Sequence, residues 1–208
     1  MRQIVAAAAL VAALCGAGAA QAFDYYVLAL SWTPGFCDSG GADKQPHECA
    51  PGSGTGFVVH GLWPNNASEA NPEDCGGGYV PAAALRLTDG VYPDQGLARY
   101  EYRKHGSCSG LDPQAYFAAV KTLRDAIFIP DLLKSPHGRQ QLSPAALTQA
   151  FIAANANLAA DDMAITCRNG ELIDVRLCVA KSLTAFAQCP KVAGHTCHAA
   201  SIAVAPPR

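Results

Sequence analysis

Charge is scarce in this sequence: Asp, Glu, Lys and Arg make up 15% of its 208 residues, and 15 basic against 17 acidic side chains leave a formal net charge of -2. With 50% of residues hydrophobic, this excludes an intrinsically disordered chain, which lacks the apolar surface to offset its ordering entropy. It equally excludes a basic nucleic-acid arm. A polyanionic ligand has to be gripped by a local constellation, because the whole-molecule field does not draw it in. No internal repeat, low-complexity linker or second composition regime is present, which confines the chain to one domain of ordinary size. Beyond residue 22 no apolar run approaches the length of a membrane span. Cys-x-x-Cys pairs are missing as well, which weighs against a zinc site at His195, Cys197 and His198.

What is there begins with a leader. Residues 1–22 combine Arg2, an apolar run from Ile4 to Leu14 and the small-residue ending Ala20-Gln21-Ala22, the layout of a secretory signal peptide cleaved after Ala22. The bulky Leu14 before Cys15 speaks against a lipoprotein. Loss of Arg2 takes the net charge to -3, and loss of Cys15 leaves Cys37, Cys49, Cys75, Cys108, Cys167, Cys178, Cys189 and Cys197. An even number in an exported chain implies a disulfide framework, whose connectivity the spacing alone leaves open.

Tyr25 to Trp32 is rich in β-formers and ends at Pro34-Gly35, and Gly56 to Trp63 reads as a second apolar strand stopped by Pro64. The Gly- and Pro-rich stretch from Asn65 to Gly96 reads as a long surface excursion with one helical turn near Ala82 to Leu87. Asp112-Pro113 and Ser143-Pro144 each supply an N-cap and a first-turn proline, predicting helices over about 114–127 and 145–154. Asn169-Gly170 between two apolar runs predicts a hairpin joining strands at 163–167 and 171–179. The fold class is α+β, a single domain with helices packed on a mostly antiparallel sheet.

Two histidines sit in conspicuous settings. His60 lies in His60-Gly61-Leu62-Trp63-Pro64, and His105 in Tyr100-Glu101-Tyr102-Arg103-Lys104-His105-Gly106-Ser107-Cys108. If the second segment is helical, Glu101, Lys104 and His105 share one face, with Gly106 as the stop. Read alone, His60 is a core histidine, Glu101 and Lys104 a solvated ion pair, and Trp63 plain core. Together, a carboxylate, an ammonium and two imidazoles suit a reaction that moves a proton at each end and passes through extra negative charge. Imidazole, with an unperturbed pKa of about 6.5, can be base in one step and acid in the next. Cleavage of RNA through its own 2′-hydroxyl has this demand and needs no metal.

These two segments resemble the active-site segments of the ribonuclease T(2) family. Tyr26-Val27-Leu28-Ala29-Leu30-Ser31-Trp32 and Gly35-Phe36-Cys37 are similar too, particularly to its bacterial periplasmic branch. The resemblance runs from about Tyr25 to Tyr116. It implies a secreted or periplasmic, acid-tolerant endoribonuclease that cleaves single-stranded RNA with little base specificity, through a 2′,3′-cyclic phosphate to 3′-phosphate ends. It implies catalytic roles for His60, Glu101 and His105, with His105 as base and His60 as acid in the first step. Lys104 would assist at the phosphate and Trp63 stack on a base. The family's cysteine pattern implies Cys37 with Cys49, Cys75 with Cys108, Cys167 with Cys197, and Cys178 with Cys189. The expectation is a monomer whose partner is RNA, with no cofactor, no metal and no membrane.

Three positions depart from the family pattern. Asn65 stands where many members carry an acidic residue, and Tyr100 and Tyr102 flank Glu101 where several fungal members have His and Trp. Arg103, His47 and His137 read as surface residues, and Asn66-Ala67-Ser68 as a sequon left unglycosylated beside Trp63. The competing functions are a catalytically silent binding protein on the same scaffold, whose mark is a lost catalytic histidine, and metal-dependent hydrolysis at His195 and His198.

Overall fold

The computed structural model describes residues 22–134 and 138–207. The expected leader, apart from Ala22, and His137 lie outside the described residues. In chain order the elements are β1 (Tyr25–Trp32), α1 (Thr33–Asp38), β2 (Phe57–Asn65), α2 (Ala82–Leu85), α3 (Gln95–Lys104), α4 (Pro113–Ala126), α5 (Asp131–Lys134), β3 (Gln140–Leu142), α6 (Pro144–Ala154), β4 (Met163–Arg168), β5 (Glu171–Ala180), α7 (Pro190–Ala193) and β6 (Ile202–Val204). The strands form one sheet in the order β2-β1-β5-β6-β3, with β4 also paired to β5. Every pairing is antiparallel except the contact of β5 with β6.

Side chains alternate across the sheet, so each strand feeds two environments. Leu28, Leu30 and Trp32 of β1, with Val59, Leu62, Ile165, Val175 and Leu177, face the main core, where Tyr116, Phe117 and Val120 of α4 and Leu147 and Phe151 of α6 cover them. The opposite face carries a smaller cluster, Tyr25, Val27, Ala164, Cys178, Cys189 and Val192, with Trp63 packed against it. β1 is buried along its whole length because it lies between β2 and β5 with both faces covered.

The expected helices and the hairpin stand where capping and turn chemistry put them. Asp112 Oδ1 accepts from the Ala115 N–H and Ser143 Oγ from the Ala146 N–H, each at the start of a helix entered through proline. Asn169 and Gly170 adopt φ of 52° and 79°, the left-handed pair that a two-residue hairpin requires. The differences are local. β2 runs through Pro64 to Asn65, because an edge strand tolerates a residue with no N–H on its open side. Past the end of β1 the chain enters α1 directly, with Pro34 in its first turn. Strands β3 and β6, three residues each, carry no periodic signal long enough to read in advance.

Four disulfides pair Cys37 with Cys49, Cys75 with Cys108, Cys167 with Cys197 and Cys178 with Cys189, as the resemblance implied. Cys75–Cys108 ties the excursion after β2 to the turn after α3, and Cys178–Cys189 ties β5 to the start of α7. Such closures typically contribute about 2–4 kcal/mol each.

Candidate active site

A bulge in β2 builds half of the site. Opposite β1, Gly61 pairs with Ala29 but Val59 pairs with Leu30, so His60 is an extra residue with no partner of its own. Residues three apart on a regular strand point to opposite faces; the inserted residue turns His60 and Trp63 to the same side. Their ring centroids are 5.4 Å apart. Gly61 between them has no side chain for a physical reason: a Cβ there would run into the indole nitrogen of Trp63 and the carboxylate of Glu101.

The other half comes from α3, and the segment is helical as the site required. Asp94 caps it by accepting from the N–H groups of Gly96 and Leu97, and Arg103 and Lys104 close its last turn, where cations favour the helix dipole. Ala98, Glu101 and Tyr102 form its buried stripe. Gly106 is not the left-handed stop expected. His105 itself terminates α3, a 3-10 turn follows, and Gly106 is small because the rings of Tyr102 and Tyr116 press on it.

Glu101 joins the halves. Its side chain is 2% exposed, with Oε2 accepting from the Trp63 indole N–H at 2.7 Å and Oε1 at 3.6 Å from His60 Nε2. Burial raises its pKa to about 7, with the Trp63 hydrogen bond pulling the other way. The His105 ring stands 5.5 Å from the same indole. The two imidazoles therefore share the Trp63 ring as a neighbour and lie less than twice that distance apart. Burial lowers the pKa of both: Asp174 opposes the shift at His60 and Arg176 adds to it, while at His105 Glu73 opposes it and Lys104 adds to it.

Behind His60 stands a relay that the sequence reading missed. Ser31 Oγ donates to Asp174 Oδ1 at 2.7 Å and lies 3.3 Å from His60 Nδ1. With its proton committed to Asp174, the hydroxyl offers His60 a lone pair, so Nδ1 holds a proton and Nε2 is left to exchange one. Asp174 is 5% exposed and also meets Arg176, whose guanidinium lies 5.5 Å over the Trp63 ring. The signal available was alternation: Asp174 and Arg176 sit two apart on a strand whose neighbours are apolar. Two charges on one face of a buried strand are rarely idle.

Lys104 is placed differently from the other three. Its ammonium is taken up by Glu73 at 2.7 Å and Asp74 at 2.8 Å, and these two hydrogen-bonded carboxylates raise its pKa. Trp63 is half-buried among His60, His105 and Arg176, with one end of its indole fixed to Glu101. Two clefts open here. One of about 500 Å³ is lined by His60, Ser31, Asp174, Tyr100, Phe36 and Arg176; the other, of about 220 Å³, by Trp63, His105, Asn65, Glu73, Asn71 and Arg176. Asn65 donates to the carbonyls of Trp63 and Pro64. His195 packs on the Lys191 carbonyl, and Cys197 is bonded to Cys167. Among the described residues no group of three His, Cys, Asp or Glu side chains is placed to hold a metal ion.

The Ribonuclease T2 family model matches residues 23–189. A probable ribonuclease of Haemophilus influenzae is 37% identical over 129 residues, covering 56% of this chain and 47% of that protein. A ribonuclease of Aeromonas hydrophila is 38% identical over 107 residues, covering 51% and 47%. The chain thus spans about half the length of these two relatives. Among solved structures, RNase NT in complex with 5'-AMP superposes with a TM-score of 0.66 at 22% identity, covering 90% of this chain and 100% of that one. With the fold shared and the match running across most of its length, the chain belongs to the ribonuclease T2 family.

Proposed function

We propose that the protein is a secreted or periplasmic endoribonuclease. It cleaves single-stranded RNA with little base specificity, by transphosphorylation to a 2′,3′-cyclic phosphate and then hydrolysis to a 3′-phosphate. The observation that carries this reading is the pair of imidazoles that both neighbour Trp63, with the carboxyl of Glu101 hydrogen-bonded to that indole and close to one of them.

In the first step His105 takes the 2′-hydroxyl proton, the 2′ oxygen bonds to phosphorus, the bond from phosphorus to the 5′ oxygen breaks, and His60 Nε2 protonates the departing oxygen. In the second step His60 takes a proton from water, the water oxygen bonds to phosphorus, the bond from phosphorus to the 2′ oxygen breaks, and His105 returns its proton to that oxygen, which restores both imidazoles to their starting states. The proton count closes with side chains alone, and the protein acts as a monomer without a metal. Glu101, with a pKa of about 7, carries a proton that a phosphoryl oxygen can accept as a hydrogen bond. Lys104 contributes positive charge near His105, and the exposed side of Trp63 offers a stacking surface, which ordinarily contributes about 1–3 kcal/mol per base. Export is supported by the leader-like first 22 residues and by the four disulfides.

The test is cleavage of homopolymeric RNA in EDTA by the wild type, His60→Ala and His105→Ala, with folding followed by circular dichroism. Loss of activity in both folded variants, with cyclic phosphate as the first wild-type product, is expected. Undiminished cleavage by either variant overturns the reading.

A further inference from the structure

Arg176 has an unusual position in the sheet. Its neighbours across β5 are Ala29 on β1 and Ala164 on β4, and Ala29 in turn pairs with Gly61. A row of residues with little or no side chain thus crosses the sheet at this level, and one long side chain rises from it. The space they leave lets the guanidinium lie over Trp63, 5.5 Å from the ring centroid. Among the described residues Arg176 is also the single side chain shared by the linings of the two clefts described above: His60 lines the larger and His105 the smaller. A phosphate that exchanges protons with both imidazoles has to lie where the clefts meet.

The guanidinium is little used by the protein itself. Its Nη2 makes one long contact, 3.4 Å to Asp174 Oδ2, and its Nε is buried with no hydrogen-bond partner among the described residues. Five N–H donors in a fixed fork match the oxygens of a phosphate diester. Lys104, in contrast, already has two carboxylates within 2.8 Å.

We propose that Arg176 binds the phosphate diester undergoing cleavage, a catalytic residue held in place by Asp174 and by the indole of Trp63. This rests on the ribonuclease reading. The guanidinium grips two non-bridging oxygens at the junction of the clefts, and its charge counters the negative charge that builds as the 2′ oxygen attacks. A purely structural role, an arginine stacked on a tryptophan, would affect stability and leave phosphate binding untouched.

The experiment compares wild type, Arg176→Gln and Arg103→Gln, the last removing one positive charge from the exposed side of α3. Two quantities are read: kcat/KM on poly(U), and the dissociation constant of uridine 3′-phosphate by calorimetry. For Arg176→Gln we expect kcat/KM to fall by about 10²-fold or more, in the range lost when one transition-state donor is removed, and uridine 3′-phosphate binding to weaken at least about tenfold. Arg103→Gln should stay within about threefold on both, the scale of a screened surface charge. Binding by Arg176→Gln within about threefold of wild type overturns the proposal. If Arg176→Gln does not fold, Arg176→Lys is read in its place: it keeps the charge and loses the fork, so a loss of about tenfold supports the proposal and one below about threefold overturns it. An inactive wild type would refute the ribonuclease reading, while the uridine 3′-phosphate measurement would still decide whether Arg176 binds phosphate.

Discussion

The indole N–H of Trp63 donates to Glu101 Oε2 at 2.7 Å, across the junction of strand β2 and helix α3. This bond fixes the plane of the indole and supplies a donor to a carboxyl whose pKa burial raises, partly opposing that rise. Trp63→Phe keeps a flat ring and removes the donor. The Glu101 pKa should then rise above its value of about 7, and stability should fall by roughly 1–3 kcal/mol, the cost of an unsatisfied buried polar group. Carbon-detected NMR titration of the Glu101 carboxyl and urea denaturation check the two parts separately.

A second expectation concerns the pH dependence of cleavage. Burial lowers the pKa of both His60 and His105. One imidazole must start protonated and the other neutral, so the bell of kcat/KM should be centred on the acid side of the ordinary histidine value of about 6.5. The Asp174 charge favours the protonated His60 ring and the Arg176 charge disfavours it. Asp174→Asn should move the His60 titration to lower pH, and Arg176→Gln to higher pH. Ring-proton NMR reads both, and an alkaline optimum would contradict the assignment.

Glu101 should also leave a mark on stability. Its pKa rises from 4.5 to about 7 on folding. Between those values the unfolded chain has already released the proton that the folded chain retains, so stability is full below the lower value and falls as pH climbs through the window. At about 1.4 kcal/mol per pKa unit, wild type should lose on the order of 2–3 kcal/mol relative to Glu101→Gln across that window. The two histidines are common to both proteins and cancel. Parallel urea melts at the two ends of the window decide it; a constant difference between the proteins would refute the burial account.

Lys104 provides a further prediction. Glu73 and Asp74 hold its ammonium in two ion pairs. Glu73→Gln combined with Asp74→Asn should release it toward RNA phosphates and remove two negative charges beside the cleft. Binding of single-stranded RNA to a His60→Ala background should tighten, and the dependence of log Kd on log salt should steepen. An unchanged slope would mean that Lys104 stays away from the phosphate even when free.

Sequence and structure agree most closely where a local chemical rule is strong. The Asp112-Pro113 and Ser143-Pro144 starts, the Asn169-Gly170 turn and the face shared by Glu101 and His105 are set within a few residues, and all were legible. The disulfide pairing was legible only through family resemblance, since spacing says nothing of which strands become neighbours. Ser31, Asp174 and Arg176 escaped notice because their meaning is a matter of register. Ser31 opposes Asp174 and Ala29 opposes Arg176 across β1 and β5, two strands separated by most of the chain. The direction of Lys104 escaped for a related reason: helical spacing puts it on the correct face, and the loop carrying Glu73 and Asp74 then claims it.

The extra residue at position 60 makes part of this site depend on counting. His60 and Trp63 share a side only while the strand holds one residue more than its partner, so the gain or loss of a single codon between Val59 and Trp63 would part them. Hydrophobicity, charge and even the motif's letters could survive such a change almost intact. Surface loops forgive insertions of this size, whereas here an in-frame change of one amino acid should be as damaging as replacing the histidine.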